Sequence, residues 1–219
     1  MIEQNTSATY ERTNKIERLV IDRIFKPFCF QMNYYREEVV DPEEQYKDID
    51  SYIDGQKIQE KSGITYSPWV LMEVYNDINP NNQNAKLEGW GLFTEADYHF
   101  FIYRGTPGVA IDWDKVHIAK YESAKIREMC HSAIETDDFI NEVNELKSKI
   151  ANGEFNEAAY GGKKIKLKNG KVAWMNCNSS KLVDGDGVKY AVTIKVNKRD
   201  LGENQELYKF NGTEFVKQE

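Results

Sequence analysis

The chain has 219 residues, of which 40% are hydrophobic and 30% charged, and its formal net charge is −7 at pH 7. This composition excludes a disordered chain, and no apolar run approaches the ~18 residues that a membrane-spanning helix needs, so we expect no membrane association. The three cysteines are widely spaced, which excludes a disulfide framework and predicts reduced thiols in a cytoplasmic protein.

The charge is distributed unevenly along the chain. Residues 160–219 carry 12 Lys and Arg against 7 Asp and Glu, whereas residues 1–159 carry 17 against 29. An asymmetry of this kind is a mild hint that the C-terminal part has an anionic partner. A solvated, lysine-rich surface explains the same counts equally well.

The first half of the chain is predicted to contain a long helix, several short strands and one short helix. Residues 9–26 place apolar side chains at helical spacing, with Thr13 as a cap and Pro27 as the end of the helix. Four later segments are predicted from composition and local pattern: a strand over 28–35, a short helix over 68–78, an apolar strand within 90–105 whose buried part is HFFIY, and a strand over 108–114 that pairs with it through a turn.

The second half predicts two helices and then a region rich in strands. The helices cover 113–134 and 137–152, and Thr136 and Gly153 mark the ends of the second one. Three β segments follow: a hairpin over 163–176, a strand over 189–196 and a hairpin over 206–216. We therefore expect a mixed α/β domain over 1–154 and a small β-rich region over 155–219.

The segment YKDIDSYIDGQKIQEKSG, residues 46–63, has the clearest chemical pattern. Asp54-Gly55 is a strong signal for a two-residue hairpin turn, and this turn sets the register of the two strands. In that register Asp50 lies opposite Gln59 and Asp48 lies opposite Lys61, so these four side chains share one face. The other face carries three apolar side chains and an acidic one at its edge, which points away from the group: Ile49, Ile53, Ile58 and Glu60.

Two carboxylates, an amide oxygen and an ammonium group at one place match the needs of phosphodiester hydrolysis. A hard cation such as Mg²⁺ takes oxygen ligands, polarises a phosphate and lowers the pKa of bound water. The lysine would stabilise charge on the phosphate, or position or deprotonate the attacking water. The same pattern fits the solvent side of an amphipathic hairpin with a weak Asp48–Lys61 ion pair, and a register shift of one residue would exchange the faces.

The order Asp-x-Asp, Gly-containing turn, Ile-Gln-x-Lys resembles the core of the PD-(D/E)XK nuclease superfamily, which has the restriction-endonuclease-like fold. The resemblance covers roughly residues 11–130, since EGWGLFTEADYHFFIY is similar to the apolar segment that follows the lysine strand in phage and bacterial members. It implies a mixed sheet flanked by helices, to which the C-terminal β-rich region is an extension. It also implies a glutamate from the preceding helix, with Glu17 as the first candidate and Glu11 as the second.

The resemblance further assigns roles to the residues of the hairpin. Asp50, Gln59 and Glu17 would hold Mg²⁺ or Mn²⁺, with Asp50 as the central ligand because it lies opposite Gln59. Lys61 would assist the water, and Asp48 would either bind a second cation or orient Lys61. In the family the second acidic position is sometimes Gln, as it would be here.

Three functions remain open on these observations. The first is a Mg²⁺-dependent nuclease acting on DNA, with a homodimer as one option because many relatives act as dimers. The second is a catalytically inactive protein of the same fold that binds nucleic acid or a protein partner, and Gln59 favours it because an amide is a poorer metal ligand than a carboxylate. The third and weakest is an interaction protein whose acidic first part mimics the charge of nucleic acid.

Other candidate residues give weaker signals. The three histidines have no metal-ligand spacing with one another or with cysteine. Trp69, Trp90 and Trp113 are expected to pack in the core rather than to stack on bases. Five lysines near Trp174 could follow a phosphate backbone, although a solvated strand edge protected by lysines explains them as well: Lys163, Lys164, Lys166, Lys168 and Lys171.

Overall fold

The computed structural model describes residues 15–82, 88–181, 187–202 and 205–218, and within them the chain is a mixed α/β protein. The strands, in chain order, are β1 (Arg36–Glu38), β2 (Ser51–Ile53), β3 (Gln56–Gly63), β4 (Trp69–Tyr75), β5 (Tyr98–Tyr103), β6 (His117–Glu122), β7 (Lys163–Lys166), β8 (Val172–Lys181), β9 (Val188–Asn197), β10 (Glu206–Phe210) and β11 (Phe215–Gln218). The α-helices are α1 (15–31), α2 (Pro42–Tyr46), α3 (Trp90–Phe93), α4 (Ser123–Ile134), α5 (Asp137–Ala151) and α6 (Glu157–Tyr160).

Two compact units are built from interleaved segments of the chain. The first unit combines Met1–Ser67, Thr94–Ser123 and Glu203–Glu219, and the second combines Pro68–Phe93 and Ala124–Gly202. The boundary that we predicted between 154 and 155 therefore falls inside the second unit, and the last hairpin belongs to the first. None of the helices in the described ranges has both the length and the apolar character that crossing a membrane requires.

Helix α1 runs through Pro27, where the sequence predicts its end. A π-helical segment, Ile21–Phe25, precedes the proline, and Lys26–Gln31 then begins a new α-helical segment with Pro27 in its first turn. A first-turn residue needs no backbone donor, so the proline is tolerated there. The strand predicted over 28–35 is wrong for this reason, because residues 28–31 continue the helix. The predicted cap Thr13 lies outside the described residues.

The first unit contains a seven-stranded mixed sheet in the order β1-β2-β3-β5-β6-β10-β11. The register predicted for the hairpin is confirmed over its observed length, with Ser51 opposite Ile58 and Ile53 opposite Gln56. Both turn residues, Asp54 and Gly55, have the positive φ that a type I′ turn requires. Strand β5 then lies parallel to β3 and antiparallel to β6.

One face of this sheet forms the core against helix α1. The central buried side chains come from the helix and from five of the strands: Val20, Ile24, Phe25, Phe28, Ile53, Ile58, Phe100, Ile102, Ile118 and Tyr208. The predicted buried strand HFFIY is confirmed as the greater part of β5. Two neighbouring predictions are wrong: residues 108–114 form no strand, and residues 117–122 form β6 rather than the start of a helix. Pairing with β5 and β10 outweighs the helix propensity of that segment.

The second unit contains a four-stranded antiparallel sheet in the order β4-β9-β8-β7. Residues 68–78, predicted as a short helix, supply β4, in which Val70, Met72 and Val74 are buried at alternating positions. Helix α5 is confirmed, with Thr136 Oγ1 accepting a hydrogen bond from Phe139 N at its start. The helices cover only one face of the sheet: Phe139 contacts Tyr75, and Glu142 forms an ion pair with Lys163.

Candidate active site

A cavity of about 600 Å³ in the first unit lies beside α1 and the start of the hairpin. All four residues of the predicted catalytic group line it: Glu17, Asp50, Gln59 and Lys61. Side chains that the sequence did not single out complete the wall, among them Arg18, Arg36 and Gln45. The second glutamate candidate, Glu11, lies outside the described residues.

Asp50 lies just outside the regular pairing of the hairpin, and its side chain lines the cavity. Strand β2 begins at Ser51, and Asp50 N donates to Ile58 O at 2.8 Å. Asp50 Oδ2 accepts a hydrogen bond from Glu60 N at 2.7 Å, which fixes one of its two carboxylate oxygens. The regular pairing predicted between Asp50 and Gln59 is therefore replaced by a local irregularity in which the aspartate bonds to the backbone of β3.

Gln59 is 5% exposed, and its Oε1 atom has no hydrogen-bond partner among the described residues. A buried amide oxygen without a partner costs about 1–3 kcal/mol. Such an atom is suited to accept a hydrogen bond from a ligand or to coordinate a cation that enters the cavity. The amphipathic-hairpin alternative requires Gln59 to be exposed to solvent, whereas its side chain is buried.

Two carboxyl groups of the cavity are held in an environment that disfavours their charge. Burial raises the pKa of Asp50 to about 6, and the bond from Glu60 N and the charge of Lys61 only partly oppose it. Burial also raises the pKa of Glu17, again against the opposing effect of Lys61. A cation bound beside these two carboxyl groups would lower both pKa values.

Asp48 and Lys61 form an ion pair on the face of β3 opposite to the core of α1. Lys61 Nζ donates to Asp48 Oδ1 at 3.1 Å, with the side chains 25% and 12% exposed. The other carboxylate oxygen, Oδ2, lies 3.8 Å from His99 Nε2, and His99 Nδ1 lies 2.7 Å from Ser123 Oγ. Burial alone would raise the pKa of Asp48, but the contacts with His99 and Lys61 outweigh it and hold that pKa below its usual value.

Glu60 alternates to the face of β3 opposite to Gln59 and Lys61, but it also lines the cavity, so the expectation that it points away from the group is wrong. A second buried network engages its carboxylate. The carboxylate accepts from Arg36 Nε at 2.8 Å and from Arg36 Nη2 at 3.0 Å. Ser51 Oγ donates to Glu60 Oε1 at 2.5 Å. This two-point contact between guanidinium and carboxylate joins β1 to β3 and closes one side of the cavity.

The sequence reasoning missed three residues of these networks: Arg36, His99 and Ser123. Arg36 is the partner of Glu60, and no local motif marks it because Arg36 lies opposite Ile53 of β2, at a distance along the chain that no turn signal spans. His99 was set aside for lack of ligand spacing along the chain. It lies opposite Gln59 only because β3 and β5 are parallel neighbours, a relation that crosses a long connection.

The donors around the cavity suit a hard cation, in that they are carboxylate and amide oxygens, one of them buried and without a partner. Within the described ranges, no group of three or more His, Cys, Asp or Glu side chains could hold a metal ion. The candidate set differs from such a group because it combines two carboxylates with one amide.

Comparisons of the chain with family models, with curated proteins and with solved structures found no match.

Proposed function

We propose that this protein is a metal-dependent nuclease that hydrolyses phosphodiester bonds of DNA, on a fold of the restriction-endonuclease-like type. The observation that carries the proposal is the position of Glu17, Asp50, Gln59 and Lys61 on the wall of one cavity. The sheet order supports it, since the apolar strand β5 lies next to the lysine strand β3 and is the next strand of the first unit along the chain, after β4 and α3 of the second unit.

Each residue of the cavity has a distinct task in this proposal. Glu17, Asp50 and Gln59 would hold Mg²⁺ or Mn²⁺, which relieves the buried carboxylates of their unbalanced charge. When bound, the cation supplies polarisation of the phosphate and acidification of water. Lys61 Nζ would position the attacking water and stabilise the charge on the phosphate, because an ammonium group paired with Asp48 cannot itself accept a proton. Asp48 acts on Lys61, whose ammonium group it holds at 3.1 Å.

The experiment is plasmid nicking with Mg²⁺ or Mn²⁺, compared with the same reaction in EDTA. Wild-type protein should nick only with the metal. Lys61→Ala and Asp50→Asn should lower the rate by roughly 100-fold or more, the size of effect expected for the loss of an electrostatic stabiliser or of a metal ligand. Lys57→Ala and Asp114→Asn are the matched controls, because both side chains belong to the first unit and lie outside the cavity. Nicking that persists in Lys61→Ala and Asp50→Asn would refute the assignment.

A catalytically inactive nuclease-fold protein is the alternative, and the amide at position 59 favours it because a neutral oxygen binds a cation less strongly than a carboxylate. It predicts that the protein binds nucleic acid or a protein partner without turnover. Gln59→Glu separates the two functions: it should create or increase metal-dependent nicking if only the ligand is deficient. Lys61→Ala should leave binding unchanged in this case.

A further inference from the structure

The sheet of the second unit has one face that the helices do not cover. Strand alternation and register place six exposed side chains on this face, two of them indoles and three of them ammonium groups: Trp69, Leu71, Lys164, Lys166, Trp174 and Lys195. We call these six residues the exposed sheet face. Trp69 is 38% exposed and Trp174 is 43% exposed. The expectation of core packing is therefore wrong for Trp69, and also for Trp113 of the first unit, which is 40% exposed.

The register sets the lysines directly beside Trp174. Lys164 of β7 lies opposite Trp174 of β8, Trp174 lies opposite Lys195 of β9, and Lys195 lies opposite Leu71 of β4. Directly opposite residues have Cβ atoms about 4.5–5.5 Å apart. An exposed indole ring is therefore flanked by an ammonium group on each neighbouring strand.

Within the part of the chain that the structure describes, the three lysines of this face, Lys164, Lys166 and Lys195, form no ion pair with a carboxylate. The adjacent Lys163 differs, because it alternates to the helix side and pairs there with the buried Glu142. The acidic residue of β4 on the same side, Glu73, is half-buried and lies two residues beyond Leu71. An anionic partner is the complement of such a surface.

We propose that the exposed sheet face binds a single-stranded polynucleotide. Bases stack on Trp69 and Trp174, whose strands β4 and β8 are two strand spacings, about 10 Å, apart. The phosphates lie along Lys164, Lys166 and Lys195. A duplex keeps the faces of its bases inside the stack, so only a single strand uses the indoles and the ammonium groups together.

This surface is distinct from the hydrolytic cavity, and the inference rests on the proposed function only in naming the same class of ligand. Binding is therefore measured in EDTA, where the proposed hydrolysis cannot occur. The probes are fluorescein-labelled oligo(dT) and oligo(U) of 20 nucleotides and a duplex of equal length, followed by fluorescence anisotropy over a range of salt concentrations. Thermal unfolding verifies that each variant is folded.

Both single strands should bind more tightly than the duplex. Trp174→Ala should weaken single-strand binding by roughly 5- to 100-fold, the effect of losing one stacked base. The triple variant Lys164→Ala, Lys166→Ala, Lys195→Ala should reduce the slope of log affinity against log salt by about 2, as expected for three lost phosphate contacts. The matched controls are Trp113→Ala, an exposed indole of the first unit, and alanines at Lys125, Lys147 and Lys149 on the helices.

Three results would overturn the inference. One is the absence of single-strand binding by the wild-type protein, and another is binding that Trp174→Ala leaves unchanged. The third is a concentration-dependent dimer in analytical ultracentrifugation that Trp174→Ala abolishes while no oligonucleotide binds, since the face would then contact a second copy of the chain. Loss of nicking in Lys61→Ala with unchanged anisotropy separates the two proposals.

Discussion

Lys61 Nζ lies 3.1 Å from Asp48 Oδ1, and neither side chain is more than 25% exposed. Lys61 lines the cavity, and Asp48 holds the amine to which we assign the attacking water. This contact means that the orientation of Lys61 and the stability of the hairpin depend on the same carboxylate.

The first prediction concerns Asp48→Asn. Asn tolerates the positive φ of 64° at this position, so the backbone should be retained. Loss of the charge-assisted bond should lower the free energy of unfolding by about 1–3 kcal/mol, measured by urea denaturation. It should also lower metal-dependent nicking at least tenfold if the lysine is active. Glu145→Gln, which breaks an exposed pair with Lys149 outside the cavity, should change neither quantity.

The second prediction concerns the buried contact between Arg36 and Glu60, whose side chains are 9% and 5% exposed. Glu60→Leu alone should lower the free energy of unfolding by about 3–5 kcal/mol, because it leaves a guanidinium group buried without its counterion. Adding Arg36→Met should recover most of that loss. Urea denaturation of both single variants and the double variant measures the coupling. A cost below about 1 kcal/mol for Glu60→Leu would contradict the network.

The third prediction distinguishes a helix from a strand over residues 28–31. Phe28 is fully buried among aromatic rings, whereas Phe30, two residues later, is 88% exposed. Phe28→Ala should cost about 3–5 kcal/mol of unfolding free energy. Phe30→Ala should cost almost nothing. In a strand the two side chains would share a face, so equal costs in thermal or urea denaturation would favour the strand.

The fourth prediction concerns the three cysteines, all of which are buried with free thiols. Burial raises the pKa of Cys29 and of Cys177 to about 12, and it raises the pKa of Cys130 as well. Because the thiolate is the reactive form, none of the three should react with a thiol reagent such as DTNB near neutral pH while the protein is folded. All three should react in guanidinium chloride. Rapid reaction of one thiol in the native protein would place that cysteine at the surface.

Several elements of the fold could be predicted because their signals are local. Asp54-Gly55 demands a tight turn with positive φ at both positions, and it sets the hairpin register without help from the rest of the chain. Thr136 and the apolar spacing behind it predict α5 in the same way. In other segments the run of apolar and polar residues was too short to distinguish a helix from a strand. Residues 68–78 and 117–122 are strands because neighbouring strands pair with them, not because their composition excludes a helix.

The candidate site also has a part that the sequence predicts and a part that depends on the tertiary structure. Its acids, its amide and its lysine are within one hairpin and one helix, so the sequence alone was sufficient to nominate Glu17, Asp50, Gln59 and Lys61. Which groups surround them was decided by pairings between distant segments. His99 comes beside Asp48 through the parallel contact of β3 and β5, and Arg36 reaches Glu60 across β2. Local turn chemistry acts over a few residues, whereas burial and strand pairing depend on which distant segments the folded chain brings together.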